Sequence, residues 1–316
     1  MKKTICNTFW VLLILASCTS KDHIPAPSSG LLHRGTDSLK YTYYAPLADR
    51  PVVLYYHIPE DGDIRTMPIL FAMHGSERDA KYQIDTWKNI ANQRQIMVFA
   101  PCFTRELYPG NRAYQFAGVS DSDYTWLEKS QDKWTISLIE NLFDFIKAQT
   151  SNGAATYDLW GHSAGAQFSH RLLFFLPEAR VRMVVSSNAG SYLMPTLTGY
   201  GTGNYGFPHS LKGTPYTAND LTAYFARPLI VHLGTADIAT TAEQDSALPV
   251  SVEAKAQGAS RFERGHYFFN FAKEAAEAAS VHFNWRLVEV AGVAHNSRRM
   301  AQTDVTGAAD LLYPDR

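Results

Sequence analysis

The hydrophobic residues of this 316-residue chain fall into short continuous runs that alternate with segments of helical spacing. The runs lie at 68–73, 96–101, 157–160, 181–186, 228–233 and 285–290, and the helical spacing lies at 79–93, 133–149, 164–176 and 261–279. A short continuous apolar run is typical of a strand buried on both faces of a parallel sheet. Strands that alternate with helices over this length predict an α/β fold, with a mostly parallel central sheet flanked by helices.

Three further segments complete the predicted architecture. Residues 41–44 and 52–58 alternate apolar and polar positions, which predicts a pair of edge strands. Residues 102–129 predict a long loop. Residues 188–227 show no regular period and are too long for an ordinary connection, so we expect a cap-like insertion over the functional site.

The first residues have the pattern of an export signal. Lys2 and Lys3 precede a short apolar run at 9–16, which ends in Leu-Ala-Ser-Cys with Cys18 as the cysteine. This ending resembles the lipobox of bacterial lipoproteins, and the resemblance implies cleavage before Cys18 and attachment of lipid to it. A plain secretory signal cut near Ser17 and an uncleaved anchor are the alternatives. We therefore expect an exported lipoprotein, anchored to a membrane on the periplasmic face or at the cell surface.

The same reading divides the chain into three parts. Residues 1–17 are expected to be a signal peptide, 18–38 a flexible tether rich in Ser and Pro, and 39–316 a single domain that contains the insertion at 188–227.

Composition excludes several classes of function. The chain is 46% hydrophobic with a formal net charge of −1, so disorder and a nucleic-acid partner are not expected. It has no paired cysteines or His-x-x-x-His pattern that would predict a metal site. The glycines at 201 and 203 do not open a helix after a strand, so we expect no dinucleotide and no other cofactor.

A Gly-x-Ser-x-Gly sequence lies between the strand-like run 157–160 and the helical segment 164–176. This strand–turn–helix setting is the one that a nucleophile elbow requires, with Ser163 as the nucleophile. A Cβ at Gly161 or Gly165 would collide with the neighbouring strand or helix. The helix start also supplies free backbone N–H groups, so the N–H of Ala164 is a candidate oxyanion donor.

A serine nucleophile needs an imidazole base and a carboxylate that orients it, and both are expected after late strands in the order Ser, Asp, His. Asp237 follows the run 228–233, and His295 follows the run 285–290. Glu243 and Asp245 are weaker candidates for the acid because they lie farther from the strand. The motif histidine His162 is expected to point away from Ser163 and to serve in packing.

The second oxyanion donor is expected after the third strand. His74 and Gly75 follow the run 68–73 there, and a glycine allows the backbone to approach a substrate closely. The N–H of Gly75 or that of Ser76 is the candidate, with a simple tight turn as the alternative.

Together these motifs resemble the α/β-hydrolase superfamily over almost the whole chain after the signal. The sequence Gly-His-Ser-Ala-Gly-Ala-Gln from Gly161 and the stretch His-Gly-Ser-Glu-Arg-Asp-Ala from His74 are most similar to its esterase and polyhydroxybutyrate-depolymerase-like branch. The resemblance implies an α/β-hydrolase fold and a serine carboxylic-ester hydrolase that works through an acyl-enzyme.

The substrate expectation comes from the aromatic residues of 188–227, which carry few charges among them. Such a segment suits a neutral ester, aryl or glycan-linked, although the same aromatics could simply pack the segment onto the body. A serine peptidase with the same triad and a non-catalytic cell-surface binding protein remain the alternative functions.

Overall fold

The computed structural model describes residues 30–314, and these form one eight-stranded sheet with helices on both faces. Its strands are β1 Gly35–Tyr41, β2 Val52–Ile58, β3 Ile69–Met73, β4 Met97–Cys102, β5 Tyr157–His162, β6 Val181–Ser187, β7 Leu229–Gly234 and β8 Trp285–Val290. Their order across the sheet is β1-β2-β4-β3-β5-β6-β7-β8. The six strands from β3 to β8 run parallel, which confirms the predicted α/β fold.

The first two strands form the antiparallel edge of the sheet, with β1 paired to β2 and β2 paired to β4. The prediction of a first strand at 41–44 was wrong, because β1 begins at Gly35 and ends at Tyr41. Four residues that the sequence placed in the tether, 35–38, therefore belong to the sheet. They are polar and mostly exposed, as an edge strand allows, and their pairing with β2 rather than an apolar pattern holds them in place.

The helices are α1 Ala80–Arg94, α2 Ser137–Thr150, α3 Ala164–Phe175, α4 Ala218–Ala226, α5 Val252–Lys255, α6 Arg261–Ala278, α7 Ser297–Gln302 and α8 Ala308–Leu312. Asp79 caps α1, since its side chain accepts a hydrogen bond from the N–H of Tyr82. A capping box between Ser260 and Glu263 opens α6. The helix expected from residue 133 begins at Ser137 and is preceded by a short 3-10 turn, Gln131–Lys133.

Two hydrophobic layers enclose the sheet. One layer contains residues of α1 and α8, with Trp87 of α1 packed edge-on against Trp160 of β5 at 5.2 Å between ring centroids. The opposite layer is larger and contains the apolar residues of α2, α3 and α6. The strands between them are buried on both faces; all five residues of β3 are buried, for example. This burial explains why the central strands read as continuous apolar runs.

The segment 188–227 is mostly irregular, as expected, but it ends in α4, which a capping box between Thr217 and Asp220 opens. Five of its seven aromatic residues are buried, and the other two pack against the core. Tyr192, for instance, stacks on Phe268 of α6 with 4.5 Å between ring centroids. These rings therefore attach the segment to the body of the domain.

No helix within 30–314 combines the length and the apolar character that crossing a membrane demands. The predicted signal peptide, Cys18 and most of the predicted tether lie outside the described residues.

Candidate active site

The turn between β5 and α3 holds Ser163 in a strained backbone conformation. Its φ is 58° and its ψ is −115°, a region that side-chain-bearing residues rarely adopt. Two glycines make the turn possible: a Cβ on Gly161 would lie 2.2 Å from the carbonyl oxygen of Gly165, and one on Gly165 would lie 2.3 Å from that of Met73. The sequence-based expectation for both glycines is thus matched by close backbone contacts. The result is the geometry of a nucleophile elbow.

The carboxylate of Asp237 and the imidazole of His295 meet at the same edge of the sheet. Asp237 follows β7 and His295 follows β8, and 2.6 Å separates Oδ2 of Asp237 from Nδ1 of His295. The backbone N–H of Asp237 donates to the carbonyl of Gly234, and its side chain is almost fully buried. This contact fixes the tautomer of His295: Nδ1 carries the hydrogen, and Nε2 is left as the acceptor.

Ser163 and His295 line one cavity of about 330 Å³, called here the nucleophile cavity, together with Gly75, Ser76 and His162. Within the described residues, Oγ of Ser163 has no hydrogen-bond partner. A direct serine–imidazole hydrogen bond would therefore have to form when a substrate is bound, which is common for catalytic groups. The structure brings all three predicted residues to one place, and their catalytic roles stay predictions.

The candidate oxyanion donors border the same cavity. Ala164 is the first residue of α3, so its N–H has no partner within the helix. A Cβ on Gly75 would lie 3.8 Å from Cβ of Ser163, which places the Gly75 backbone directly beside Ser163. The carbonyl of Gly75 accepts from the N–H of Arg78 and lies 3.0 Å from Nδ1 of His74. These two contacts orient the peptide that carries the N–H of Ser76.

The side chain of His74 helps to hold this turn in place. Its Nε2 accepts a hydrogen bond from the backbone N–H of Phe103, and its ring stacks on Tyr114 at 4.4 Å. Burial lowers the pKa of His74 to about 3, so the ring is neutral. We assign it a structural role.

The expectation that His162 points away from Ser163 was wrong. Its ring packs against that of His295, with 4.4 Å between the ring centroids, and it lines the nucleophile cavity. His162 lies two residues after Trp160 in β5, so the two side chains point to the same face of the sheet. The loop that carries His295 leads into α7, which packs against α1 and α8 on that face. Burial, followed by the charges of His295 and Arg261, holds the pKa of His162 well below its usual range. It is therefore a neutral ring against the candidate base.

One charged residue of the site was missed. Arg261, at the start of α6, is fully buried, and its Nη1 lies 3.3 Å from Oδ1 of Asp237 and 2.6 Å from Oδ2 of Asp245. Burial alone would raise the pKa of Asp245, but the hydrogen bond and charge of Arg261 outweigh it and leave the pKa below its usual range. No sequence pattern indicated a functional role for Arg261. It stands at the start of a helix that the capping box of Ser260 and Glu263 already accounts for.

Asp237, Asp245 and His295 also form the kind of group that can hold a metal ion, with ligand atoms within 4.8 Å of one another. Arg261 already supplies the positive charge that both carboxylates need. The three side chains are therefore better described as parts of an ion-pair network than as metal ligands.

The insertion 188–227 stays a predicted cap. Two of its residues, Ser191 and His209, line a second cavity. The residues that line the nucleophile cavity come from the loops after β3, β5 and β8 and from α1, with Ala247 of the loop after β7.

Comparison with solved structures identifies the fold and the family. The chain is similar to poly(aspartic acid) hydrolase-1 from Sphingomonas sp. KT-1, with 31% sequence identity and a TM-score of 0.77. The similarity covers 84% of this chain and 96% of the hydrolase chain. The chain belongs to the α/β-hydrolase superfamily. Its superfamily relatives also include the poly(3-hydroxybutyrate) depolymerase LpqC from Bordetella parapertussis, at 29% identity, 90% and 92% coverage and a TM-score of 0.79.

A more distant superfamily member shares the fold alone. The S-formylglutathione hydrolase from Agrobacterium tumefaciens is 13% identical, with a TM-score of 0.51 over 84% of this chain and 90% of that one. No protein-family model and no curated protein sequence matches the chain. The similarities nevertheless support the coarser functional prediction, that the protein is a hydrolase.

Proposed function

We propose that the protein is a serine carboxylic-ester hydrolase. One observation carries the proposal: Ser163, held at a strained elbow, opens onto the same cavity as His295, whose other ring nitrogen is bound to the buried carboxylate of Asp237. A residue kept in an unfavourable backbone conformation by its surroundings is typical of an active site. The similarity to a polyester depolymerase at 29% identity supports ester chemistry.

In the proposed mechanism, Nε2 of His295 takes the proton of Ser163 while Oγ attacks the ester carbonyl carbon. Asp237 holds the imidazole in the required tautomer and stabilises its positive charge. The N–H of Ala164, with that of Gly75 or Ser76, donates to the oxyanion of the tetrahedral intermediate. His295 then passes its proton to the leaving alcohol, and water releases the acyl group by the same sequence of steps.

The nucleophile cavity favours a neutral substrate. Glu77 and Asp79 line it and would repel a carboxylate or phosphate. Tyr82 lies at its edge and offers an aromatic face. We therefore propose a neutral ester whose alcohol is aryl or sugar-linked.

The decisive experiment is hydrolysis of p-nitrophenyl acetate by the protein and by Ser163→Ala. We expect the variant to lose activity by about 10⁴-fold or more, because the nucleophile is removed while the oxyanion donors remain. Thermal unfolding of both proteins checks that the fold is kept. Labelling of the wild type, but not the variant, by a fluorophosphonate identifies the reactive serine. A folded variant that keeps its activity contradicts the proposal.

A serine peptidase or amidase is the second candidate, because the relative at 31% identity is a hydrolase of poly(aspartic acid). Both reactions use the same proposed triad, so geometry does not separate them. Comparing kcat/KM for an acetate ester with that for an aminoacyl p-nitroanilide does. We expect the ester to be preferred, and an anilide preference would assign the amidase function instead.

We also propose that the protein is an exported lipoprotein, on the evidence of Cys18 and the residues before it. Expression in bacteria with a labelled fatty acid should give a labelled protein that partitions into detergent. The Cys18→Ala variant should be unlabelled and remain in the aqueous phase. Equal labelling of both proteins would contradict lipidation at this residue.

A further inference from the structure

A second cavity, of about 190 Å³, lies next to the nucleophile cavity. Ala247 lines the nucleophile cavity, whereas Pro249 and Val250, a few residues further along the same loop, line the second. Gln167 also lines the second cavity, and it is one helical turn after Ser163, since its N–H donates to the Ser163 carbonyl at 3.1 Å. The two cavities are therefore neighbours at the start of α3.

The floor of the second cavity is tightly packed. A Cβ on Gly190 would lie 2.8 Å from Cγ of Pro249 and 2.9 Å from Nε2 of Gln167. Oε1 of Gln167 accepts a hydrogen bond from the hydroxyl of Ser191 at 2.9 Å, which fixes the orientation of its amide. The floor of the second cavity is thus a built surface, held by α3 and the segment 188–227.

Polar side chains line this cavity. His209 is only 6% exposed, and its Nδ1 is buried with no hydrogen-bond partner among residues 30–314. Gln115 and Glu253 also line the cavity, and the described part of the chain provides no hydrogen bond to either side chain. The half-buried side chains of Gln115 and Glu253 are therefore free to form hydrogen bonds with a ligand.

Two aromatic rings accompany the polar groups. Phe116 is half-buried and lies 5.4 Å from the ring of His209, and Tyr124 is 74% exposed at the rim. Rings at the edge of a polar cavity offer a flat apolar surface to a ligand whose edges carry hydroxyls.

The charges of the cavity favour a neutral ligand. Burial, followed by the charges of Arg171 and Arg264, lowers the pKa of His209 to about 3, so its ring is neutral and can both donate and accept. The carboxylate of Glu253 repels anions. The guanidinium of Arg171, which lies 4.9 Å from the ring of Phe116, disfavours a cation. Hydroxyl groups, which donate and accept without charge, match this set.

We propose that the second cavity is a subsite for a neutral group with several hydroxyls, such as a pyranose ring, on the alcohol side of the ester. The inference rests on the proposed ester hydrolase function. The ester carbonyl lies at Ser163, while the hydroxylated group occupies the cavity beside Gln115, His209 and Glu253.

Two matched substrates test the subsite. Methyl 6-O-acetyl-glucopyranoside and cyclohexylmethyl acetate share the acyl group and a six-membered ring, and they differ chiefly in the hydroxyls. We expect kcat/KM of the wild type to favour the sugar ester by at least about 10-fold, as two or three additional hydrogen bonds would give. A ratio near one overturns the subsite.

Variants locate the effect. The change Gln115→Ala should reduce that ratio by about 3-fold to 10-fold, mainly through KM of the sugar ester, because one hydrogen bond is lost. Gln115→Trp, which fills the cavity, should remove the preference. The matched control is Leu127→Ala, an exposed residue of the same loop that lines neither cavity, and it should keep the wild-type ratio. An unchanged ratio in both Gln115 variants contradicts the proposal.

A binding measurement separates this inference from the function on which it rests. In saturation-transfer NMR with Ser163→Ala, methyl glucopyranoside should bind and Gln115→Trp should abolish its signal. Binding of the sugar by a protein that hydrolyses neither acetate would support the subsite and contradict the ester hydrolase. Hydrolysis of both acetates at equal rates without sugar binding would support the hydrolase and overturn the subsite.

Discussion

At the scale of single residues, the site is defined by charges that are buried together. The carboxylate of Asp237 contacts His295 on one oxygen and Arg261 on the other, and Arg261 in turn binds Asp245. Around His295, Asp237 binds the imidazole, His162 packs on its ring, and Arg261 and Asp245 extend the network from Asp237. Because this network is largely shielded from water, removing one of its charges leaves another without its partner.

We predict unequal losses of activity when the two outer charges are removed. Arg261→Met leaves the carboxylates of Asp237 and Asp245 without their shared positive partner, so kcat/KM should fall by at least about 10-fold. Asp245→Asn keeps the contact between Arg261 and Asp237, so the fall should be smaller. The measurement is kcat/KM for p-nitrophenyl acetate at pH 7.

Arg261→Lys is the control for this pair, because it keeps the charge and should return kcat/KM toward that of the wild type. Equal kcat/KM in Arg261→Met and wild type would contradict this account of Arg261.

At the scale of secondary-structure elements, the elbow depends on how closely β3, β5 and α3 approach. Gly165 is the first-turn residue of α3 that faces β3, and its Cα lies so near Met73 that no side chain fits. Such backbone contacts cannot relax as side chains can, so a Cβ there has to displace the helix or the strand. The position of Ser163 is therefore set by packing between elements.

We predict that Gly165→Ala lowers the free energy of unfolding by at least about 2 kcal/mol, because the new Cβ would overlap the Met73 carbonyl. The same change should lower kcat of p-nitrophenyl acetate hydrolysis by displacing Ser163. Urea unfolding measures the first effect. Gly153→Ala is the matched control, since a Cβ there meets its nearest neighbour at 3.8 Å and should cost little. Equal stability of the two variants would rule out this steric account.

At the scale of the whole molecule, the domain buries five histidines whose pKa values lie below the usual range, chiefly because of burial. They are His74, His162, His170, His209 and His232. His232, for example, lies 2.7 Å from the hydroxyl of Ser187 and 2.8 Å from the carbonyl of Thr306. Each ring is neutral in the folded protein and takes up a proton only on unfolding.

This difference predicts that the protein is most stable above pH 6.5. The pKa of His232 is about 4 when folded and about 6.5 when unfolded, so below pH 6.5 the unfolded chain binds the extra proton. Stability is thus lost as the pH falls from 6.5 to 4, and His232 contributes about 2 kcal/mol of that loss between pH 7 and 5.

The change His232→Gln should reduce that loss by about 2 kcal/mol, measured as the difference in unfolding free energy between pH 7 and 5. The exposed His282→Gln is the control for removal of a histidine. An equal pH dependence in wild type and His232→Gln would exclude His232 as a source of the effect.

Much of the architecture could be predicted because its physical causes are local. Strands such as β3 and β5 are buried on both faces and must be apolar along their length, while helices such as α1 show caps and one apolar face. Gly161, Ser163 and Gly165 are readable for the same reason, since a tight strand-to-helix turn tolerates few residue types. The start of β1 was not readable, because an edge strand with polar side chains is held by its partner.

The α/β-hydrolase fold, the elbow and the chain order of Ser163, Asp237 and His295, which follow β5, β7 and β8, could therefore all be predicted from the sequence. The side chains that surround these three residues depend on tertiary contacts. Arg261 reaches Asp237 from 24 residues away, and His162 packs on a ring that is 133 positions later in the chain. Contacts of this kind arise where loops from several strands converge, and neither spacing nor composition records where two loops will meet.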